Sequence, residues 1–170
     1  MAGFPKLIPA FTALVEIETP TPVGPVASGN TLVHVVISPN KGSITSEPSY
    51  PIKLDATFVH GADFIRADPS GKHVRLEVHS VVKDKLTDGG LLRFNYTGVI
   101  GTEGANGKVL GGSPDAATTP FGDAFINASF ETGVKELAAI QDKVYVGSGR
   151  FVLEEGKPVT VEYKISEVSY

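Results

Sequence analysis

The chain has 170 residues, 41% hydrophobic and 20% charged. That is enough to bury roughly 70% of the unfolded-state surface around one core, in a composition neither disordered nor membrane-spanning. A formal net charge of −4 leaves no basic footprint for nucleic acid or an anionic membrane. The absence of cysteine excludes disulfides, thiolate nucleophiles and thiolate metal sites.

Met1 to Ile17 carries only Lys6 as a basic residue, and Pro5 and Pro9 break its apolar run. It lacks a secretory layout, and the expectation is a cytoplasmic protein of one domain, residues 1–170. Leu7, Phe11, Ala13, Val15 and Ile17 fall on one side of a first strand. Thr19 to Pro25 holds three prolines, which cannot donate to a ladder, and reads as an extended surface connection. Thr31 to Ser38 is valine-rich and strand-like; Pro39 to Gly42 is a turn, and a short strand follows to Ser46. His34 sits inside that run, where a lone histidine is more often a hydrogen-bonded core or rim residue than a catalyst.

Ile52, Leu54, Ala56 and Phe58 alternate against polar neighbours as a half-buried strand. At His60-Gly61-Ala62-Asp63-Phe64 the alternation is interrupted, and the glycine predicts a bulge or a close backbone approach. After a turn at Ala67 to Gly71, Val74, Leu76 and Val78 face one way and Arg75, Glu77 and His79 the other. Thr87-Asp88-Gly89-Gly90 is a tight-turn signal before a strand from Leu91 to Val99, whose polar side carries Arg93, Asn95 and Thr97. Antiparallel pairing about that turn sets the two polar rows side by side.

Residues 101–122 are rich in glycine and small residues and lack periodicity. They read as a loop insertion, either a cover over a site or a disordered segment. No Gly-Lys-Ser/Thr follows, and no helix is signalled behind it, so it is not a phosphate-binding loop. Ala124 to Phe130 is strand-like. Thr132 to Ile140 holds the one plausible helix, short, with Val134, Leu137 and Ala138 along one side. Val144 to Leu153 is a strand able to bend at Gly147 and Gly149, and Val159, Val161, Tyr163 and Ile165 alternate in the cleanest strand of all. Many strands, many turns and one short helix make an all-β fold, and closure into an antiparallel barrel removes its edges.

Leu7-Ile8-Pro9-Ala10-Phe11-Thr12, Gly61-Ala62-Asp63-Phe64, Thr87-Asp88-Gly89, Phe130-Glu131-Thr132-Gly133 and Val144-Tyr145-Val146-Gly147-Ser148-Gly149-Arg150 occur in that order. In this ordered set the chain resembles the domain of unknown function 3237 family over nearly its whole length. It departs from that family's pattern at Phe64, where tryptophan is usual, at Gln141, where asparagine is preferred, and in the glycine-rich insertion. The resemblance implies a closed, calycin-like antiparallel barrel with a ligand cavity at one mouth. For fungal members it implies cofactor-free cyclases or isomerases of secondary metabolism, closing a ring on an aromatic polyketide by intramolecular hydroalkoxylation.

Such a ring closure needs one group to take a proton from oxygen and another to give one to carbon. His79 can do either, with Glu77 or Asp63 as partner once an apolar pocket raises the carboxyl pKa. Arg93 or Arg75 would hold a phenolate. Tyr96 and Tyr145 would stack on a polycyclic substrate or donate a hydrogen bond, and Asn95 and His60 complete the candidate substrate contacts. The competing readings are structural: a solvated outer face for Arg75, Glu77 and His79, and a turn acceptor for Asp63. The cyclase reading drawn from the sequence places the charged row facing a dry hollow.

No metal or other cofactor is expected, because His73 with His79, or His60 with Asp63, matches no ligand spacing. A Ser-His-Asp hydrolase is not expected, because no Gly-x-Ser-x-Gly elbow opens a helix. The expected partner is a small aromatic molecule. The alternatives are a carrier that uses the cavity without chemistry and a homo-oligomeric module that uses the polar face for subunit contact.

Overall fold

The computed structural model describes residues 3–170. Its ten strands are β1 (Lys6–Glu16), β2 (Thr21–Pro25), β3 (Thr31–Val36), β4 (Ser43–Ser46), β5 (Asp55–Ala67), β6 (His73–Asp84), β7 (Leu91–Gly101), β8 (Ala124–Thr132), β9 (Tyr145–Val152) and β10 (Thr160–Ser169). A short helix, α1 (Gly104–Leu110), follows β7, and a 3-10 helix spans Lys135–Asp142. Eight strands close an antiparallel barrel in the order β4-β1-β10-β9-β8-β7-β6-β5, with β5 returning to β4. Two more, β2 and β3, continue from the distal half of β5 as a hairpin. The all-β barrel expected from the strand count is the architecture found. No helix among the described residues is long and apolar enough to cross a membrane.

The β6–β7 hairpin forms about the expected turn. Asp88 and Gly89 both take positive φ (52° and 79°), and the Gly90 amide donates to Thr87 O at 3.2 Å. That conformation suits the right-handed twist of the flanking strands, and Asp-Gly is a favoured way to make it. Asp84, fully buried, accepts from the Thr87 hydroxyl at 2.7 Å and from the Asp55 amide at 3.0 Å. One carboxylate thereby ties the turn to the start of β5.

The bulge expected near Gly61 is present. In the β5–β6 ladder Phe58 opposes Val82 and His60 opposes Val81, so Val59 is the extra residue. Before it, the even-numbered Ala56 and Phe58 are buried; after it, the odd-numbered Asp63 is buried while Phe64 and Arg66 are exposed. Gly61 lies at the switch. A Cβ there would stand 2.6 Å from Ser80 Cβ and 3.0 Å from both His79 O and Ile37 Cδ1.

The interior is filled. Phe11 lies 5.1 Å from Tyr50 and 5.4 Å from Phe130, ring centre to ring centre. Phe130 stacks on Phe94 at 5.0 Å, and Phe94 continues to Phe58 at 6.2 Å and to Tyr96 at 5.3 Å. Leu76, Val78, Val82, Leu92, Ile126 and Ile165 occupy space between them. At one end Tyr50 donates to Glu167 Oε2 at 2.5 Å and lies 3.0 Å from the Tyr145 hydroxyl, while Lys143 donates to Glu167 Oε1 at 2.7 Å.

Four expectations are corrected. Residues 21–25 form an edge strand: Thr21 and Pro22 oppose His34 and Val33, then the register shifts before Gly24, and prolines are tolerated where only one side is paired. The segment 101–122 is neither featureless nor without a helix. It contains α1, with Asn106 buried and Val109 packed against the core, contacts that outweigh the poor helix propensity of glycine. The helix expected over Thr132 to Ile140 is a 3-10 helix shifted to Lys135–Asp142; Leu137 and Ile140, both buried, are three apart and align at three residues per turn. Leu7, assigned to the inward row, is 58% exposed, because the register of β1 slips between Pro9 and Phe11.

Gly61→Ala should destabilise the fold by about 1–3 kcal/mol through overpacking at the bulge. At Gly101 an added Cβ meets nothing closer than 3.8 Å, so Gly101→Ala should change stability by less than about 1 kcal/mol. Urea unfolding midpoints of the two variants test the contrast.

Candidate functional site

The alternation of β6 sends Arg75, Glu77 and His79 outward and Val74, Leu76 and Val78 inward. The expectation that this charged row lines the lumen is therefore corrected. With the interior taken up by aromatic and aliphatic side chains, a row of three ionisable groups has its favourable place in water. What the outer face does provide is a groove of about 300 Å³ between the β2–β3 hairpin and the β5–β6 pair, lined by Val23, Leu32, Val33, His34, Phe64, Ile65, Arg66, Glu77 and His79.

The groove exists because the β5–β6 ladder opens. Asp63 pairs with Val78 and Arg66 with Arg75, but Phe64 and Ile65 make no bridge to the residues opposite. The freed Glu77 amide donates to Asp63 Oδ1 at 3.0 Å. Phase reversal at the bulge has meanwhile brought Phe64 and Arg66 to the outer face beside Glu77. His34, paired with Phe64 in the β3–β5 ladder, stacks on it with ring centres 4.9 Å apart and planes at 22°. His79 lies 6.4 Å from the same ring on its other side.

Glu77 is the electrostatic centre. Arg66 Nη1 donates to its Oε2 at 2.5 Å, and His79 Nε2 lies 3.5 Å from its Oε1. The Arg66 guanidinium, then the His79 contact, hold the Glu77 carboxyl below its ordinary pKa. That direction is opposite to the rise expected in an apolar pocket, because a cation sits in contact. Asp63 behaves the other way. Burial pushes its pKa up to about 6, against the lowering by the Glu77 amide. It lies inside the wall beneath the groove, near Tyr96 and Tyr163, whose hydroxyls burial keeps neutral and the Asp63 charge keeps more so.

The remaining sequence candidates do not join this cluster. Arg75 makes a forked pair with Asp68, 2.8 Å from Nη2 and 3.1 Å from Nε to Oδ2. Arg93 is engaged by Glu131 at 2.5 Å, on a separate surface with Leu91, Thr132 and Gln141. Asn95 and Thr97 line a shallow continuation past Glu77 and His79. His60 is exposed beside the bulge. Tyr96 and Tyr145 point into the filled interior, and burial pushes the Tyr145 hydroxyl up to about 12.

Sequence reasoning missed His34, Phe64 and Arg66 as groove residues. The β5 bulge was legible, but its effect on facing was not followed through to Phe64 and Arg66. His34 carries a further mark: its Nε2 is buried and has no hydrogen-bond partner among the described residues, a condition that protein interiors seldom leave uncompensated. No cluster of metal-ligating side chains occurs among the described residues.

Residues 5–168 match the family described as "Protein of unknown function (DUF3237)". No curated protein matches by sequence. Among solved structures, a conserved protein of unknown function from Rhodopseudomonas palustris superposes with a TM-score of 0.75 at 18% identity, over 98% of this chain and 99% of that one. A β-barrel-like protein from Acinetobacter baumannii gives 0.72 at 17% identity, over 99% of both chains. A protein described as an enzyme from Penicillium herquei gives 0.63 at 13% identity, over 99% of this chain and 98% of that one. At these identities the likeness carries the fold.

The Asp63 carboxyl sets a pH signature. Its folded-state pKa of about 6 lies above the ordinary 3.8, so between those values the folded protein holds a proton that the unfolded chain has lost. Stability from this group is present below about pH 4 and is lost as pH rises through 6, by on the order of 3 kcal/mol at most. Asp63→Asn keeps an acceptor for the Glu77 amide and removes the charge. Subtracting its urea stability from that of wild type across pH 4–7.5 should give a difference that falls as pH rises, by up to about 3 kcal/mol, and levels off above pH 6–7; a flat difference would refute the assignment.

Proposed function

We propose, from the premise that this chain belongs to the DUF3237 family, whose pattern spans residues 5–168, that it is a cofactor-independent acid–base enzyme working in the outer groove. The substrate class we assign is a planar aromatic molecule of polyketide type carrying a hydroxyl and a nearby alkene. The reaction is an isomerisation that closes an ether ring. The observation that carries this reading is the cluster of His79, Glu77 and Arg66 against the apolar walls of Phe64, Ile65, Val33 and Leu32.

The chemistry is redox-neutral. The hydroxyl oxygen forms a bond to one alkene carbon, the other carbon gains a proton, and the hydroxyl proton is released. A single imidazole can give the first proton and recover the second, so His79 suffices when the ring is held. Glu77 accepts from Nε2 when that nitrogen is protonated, which leaves Nδ1 as the nitrogen for proton transfer. Arg66 keeps Glu77 ionised in that orienting role. Phe64 and His34 offer flat faces for an aromatic substrate, and stacked aromatic contacts contribute about 0.5–1.5 kcal/mol beyond burial.

The fold shared with a protein described as an enzyme from Penicillium herquei supports catalysis as the reading. So does the placement of a titratable pair beside apolar walls, which a plain carrier has no use for.

An ortho-allylic polyhydroxyaryl ketone, followed by chromatography and NMR for the cyclic ether, is the assay. His79→Ala should lower turnover by about 10²–10⁴, the usual range for a general acid–base group. Glu77→Gln should lower it less, and Arg93→Ala should leave it unchanged. Folded His79→Ala and Phe64→Ala proteins that both retain wild-type turnover would remove the groove from consideration.

A further inference from the structure

We infer that the groove continues into a second, polar lobe on the outer face of β7 and β8, and that this lobe takes a neutral, hydroxyl-rich substituent, a glycosyl or polyol group carried by the aromatic ligand. Asn95, Thr97, Asn127 and Ser129 are the side chains assigned to recognise it. The inference rests on the groove being a binding site and does not depend on the ring closure proposed for it. Strand register builds the lobe. Glu77 opposes Thr97, which opposes Asn127; His79 opposes Asn95, which opposes Ser129. Two cross-strand rows of three side chains therefore start at the Glu77–His79 pair and run away from Phe64. Strands lie about 4.8 Å apart, so each row reaches roughly 10 Å from β6 to β8. The hollow over them measures about 250 Å³ and shares Glu77 and His79 with the groove. Those two side chains are the junction of an apolar lobe and a polar one.

The residue types are not those a strand prefers. Asparagine is depleted in strands, because its short carboxamide competes for nearby backbone groups, yet Asn95 and Asn127 stand on the outer faces of two neighbouring strands. A solvated sheet face asks only for polarity, which threonine supplies while also suiting the strand. Local preferences are broken mainly where a function uses the side chain. Each asparagine is followed two residues later by a hydroxyl, Thr97 or Ser129, and antiparallel pairing sets each carboxamide opposite the other strand's hydroxyl. Asn95 Oδ1 lies 3.4 Å from the Ser80 amide, which steadies that carboxamide by its oxygen and leaves its NH2 as a donor. Thr97, Asn127 and Ser129 are exposed.

Charge and hydrogen-bonding capacity decide the ligand class. The ionisable side chains of the lobe are Glu77 and His79, in contact with each other, and Glu77 is already paired with Arg66. On the rows to either side, Arg75 is held by Asp68 and Arg93 by Glu131. A charged substituent would meet no unpaired opposite charge here. Carboxamides and hydroxyls each donate and accept, which matches the hydroxyl groups of a sugar or polyol, themselves donors and acceptors. The ligand's order follows from the two lobes: its aromatic ring lies along Phe64, its neutral hydroxyl-rich end lies over β7 and β8, and the link between them crosses His79.

The test compares two neutral fluorescent probes that share one aromatic ring system: methylumbelliferyl β-D-glucoside, and the methyl ether in which a methoxy group replaces the sugar. Wild-type protein should bind the glucoside about tenfold more tightly than the ether, the gain expected of one or two net hydrogen bonds. The double variant Thr97→Val, Asn127→Ala should lose that preference and keep its affinity for the ether, whereas Phe64→Ala should weaken both probes. Both substituted positions of the double variant are exposed, so it remains folded and the comparison readable. Equal affinity of wild type for the two probes would overturn the inference while leaving the groove reading in place, and so would a glucoside preference that survives in the double variant. Saturable binding of neither probe would overturn it together with the groove. A preference that is present in wild type and absent from the double variant supports it whatever His79→Ala does to turnover.

Discussion

A single extra residue in β5 decides which side chains this protein shows to water. The bulge at Val59 reverses the strand's facing halfway along, so the same strand that buries Phe58 also exposes Phe64 and buries Asp63. Gly61 permits the reversal, because Ser80 and Ile37 occupy the space its side chain would need. Beyond the bulge β5 leaves β4 and takes β3 as its neighbour, which lets the β2–β3 hairpin stand away from the barrel and wall the groove. Without the phase change, Arg66 would point inward and Glu77 would lose its guanidinium partner.

The filled lumen is the second constraint. An eight-stranded barrel leaves an interior that side chains can just occupy or that can hold one small ligand, and here large aromatics take the first course. The rings from Tyr50 through Phe11, Phe130 and Phe94 to Phe58 form an unbroken contact chain. Polar groups inside are satisfied locally, as in the Tyr50–Glu167–Lys143 cluster, where burial would raise the Glu167 pKa but Lys143 and Tyr50 hold it below its ordinary value. The cavities therefore lie where strands separate or end: the opened β5–β6 ladder and the barrel end beside α1.

Strict alternation made β6 and β10 legible, and Asp88-Gly89 made the hairpin legible, because period-two burial and positive φ leave direct marks on residue type. The two polar rows do lie side by side, with His79 opposite Asn95 and Glu77 opposite Thr97. Which side faced inward was not legible from alternation alone, since Val74, Leu76 and Val78 fit a lumen as well as they fit an outer apolar face. Arg93 illustrates a different limit: its partner Glu131 lies on β8, 38 residues away, a pairing fixed by tertiary register. In α1 three-dimensional contacts override a glycine-rich sequence, and glycine composition by itself points the wrong way.

An outward-facing acid–base cluster has a physical handicap. Glu77 and His79 have side chains 38% and 52% exposed, and in that setting water and salt weaken charge–charge interactions severalfold relative to an enclosed site. A bound planar molecule alters this by its own presence. Laid along the groove over the exposed edge of Phe64 and beside the Glu77–His79 pair, it would displace water from the open side and supply the apolar cover that the barrel lumen cannot. For the reaction proposed above, that favours substrates large and flat enough to seal the groove, because a small polar molecule would leave the imidazole hydrated and its proton transfers no faster than in solution. Under that proposal size and planarity become conditions of catalysis as well as of binding, and Phe64, standing between His34 and His79, is the side chain on which that condition turns.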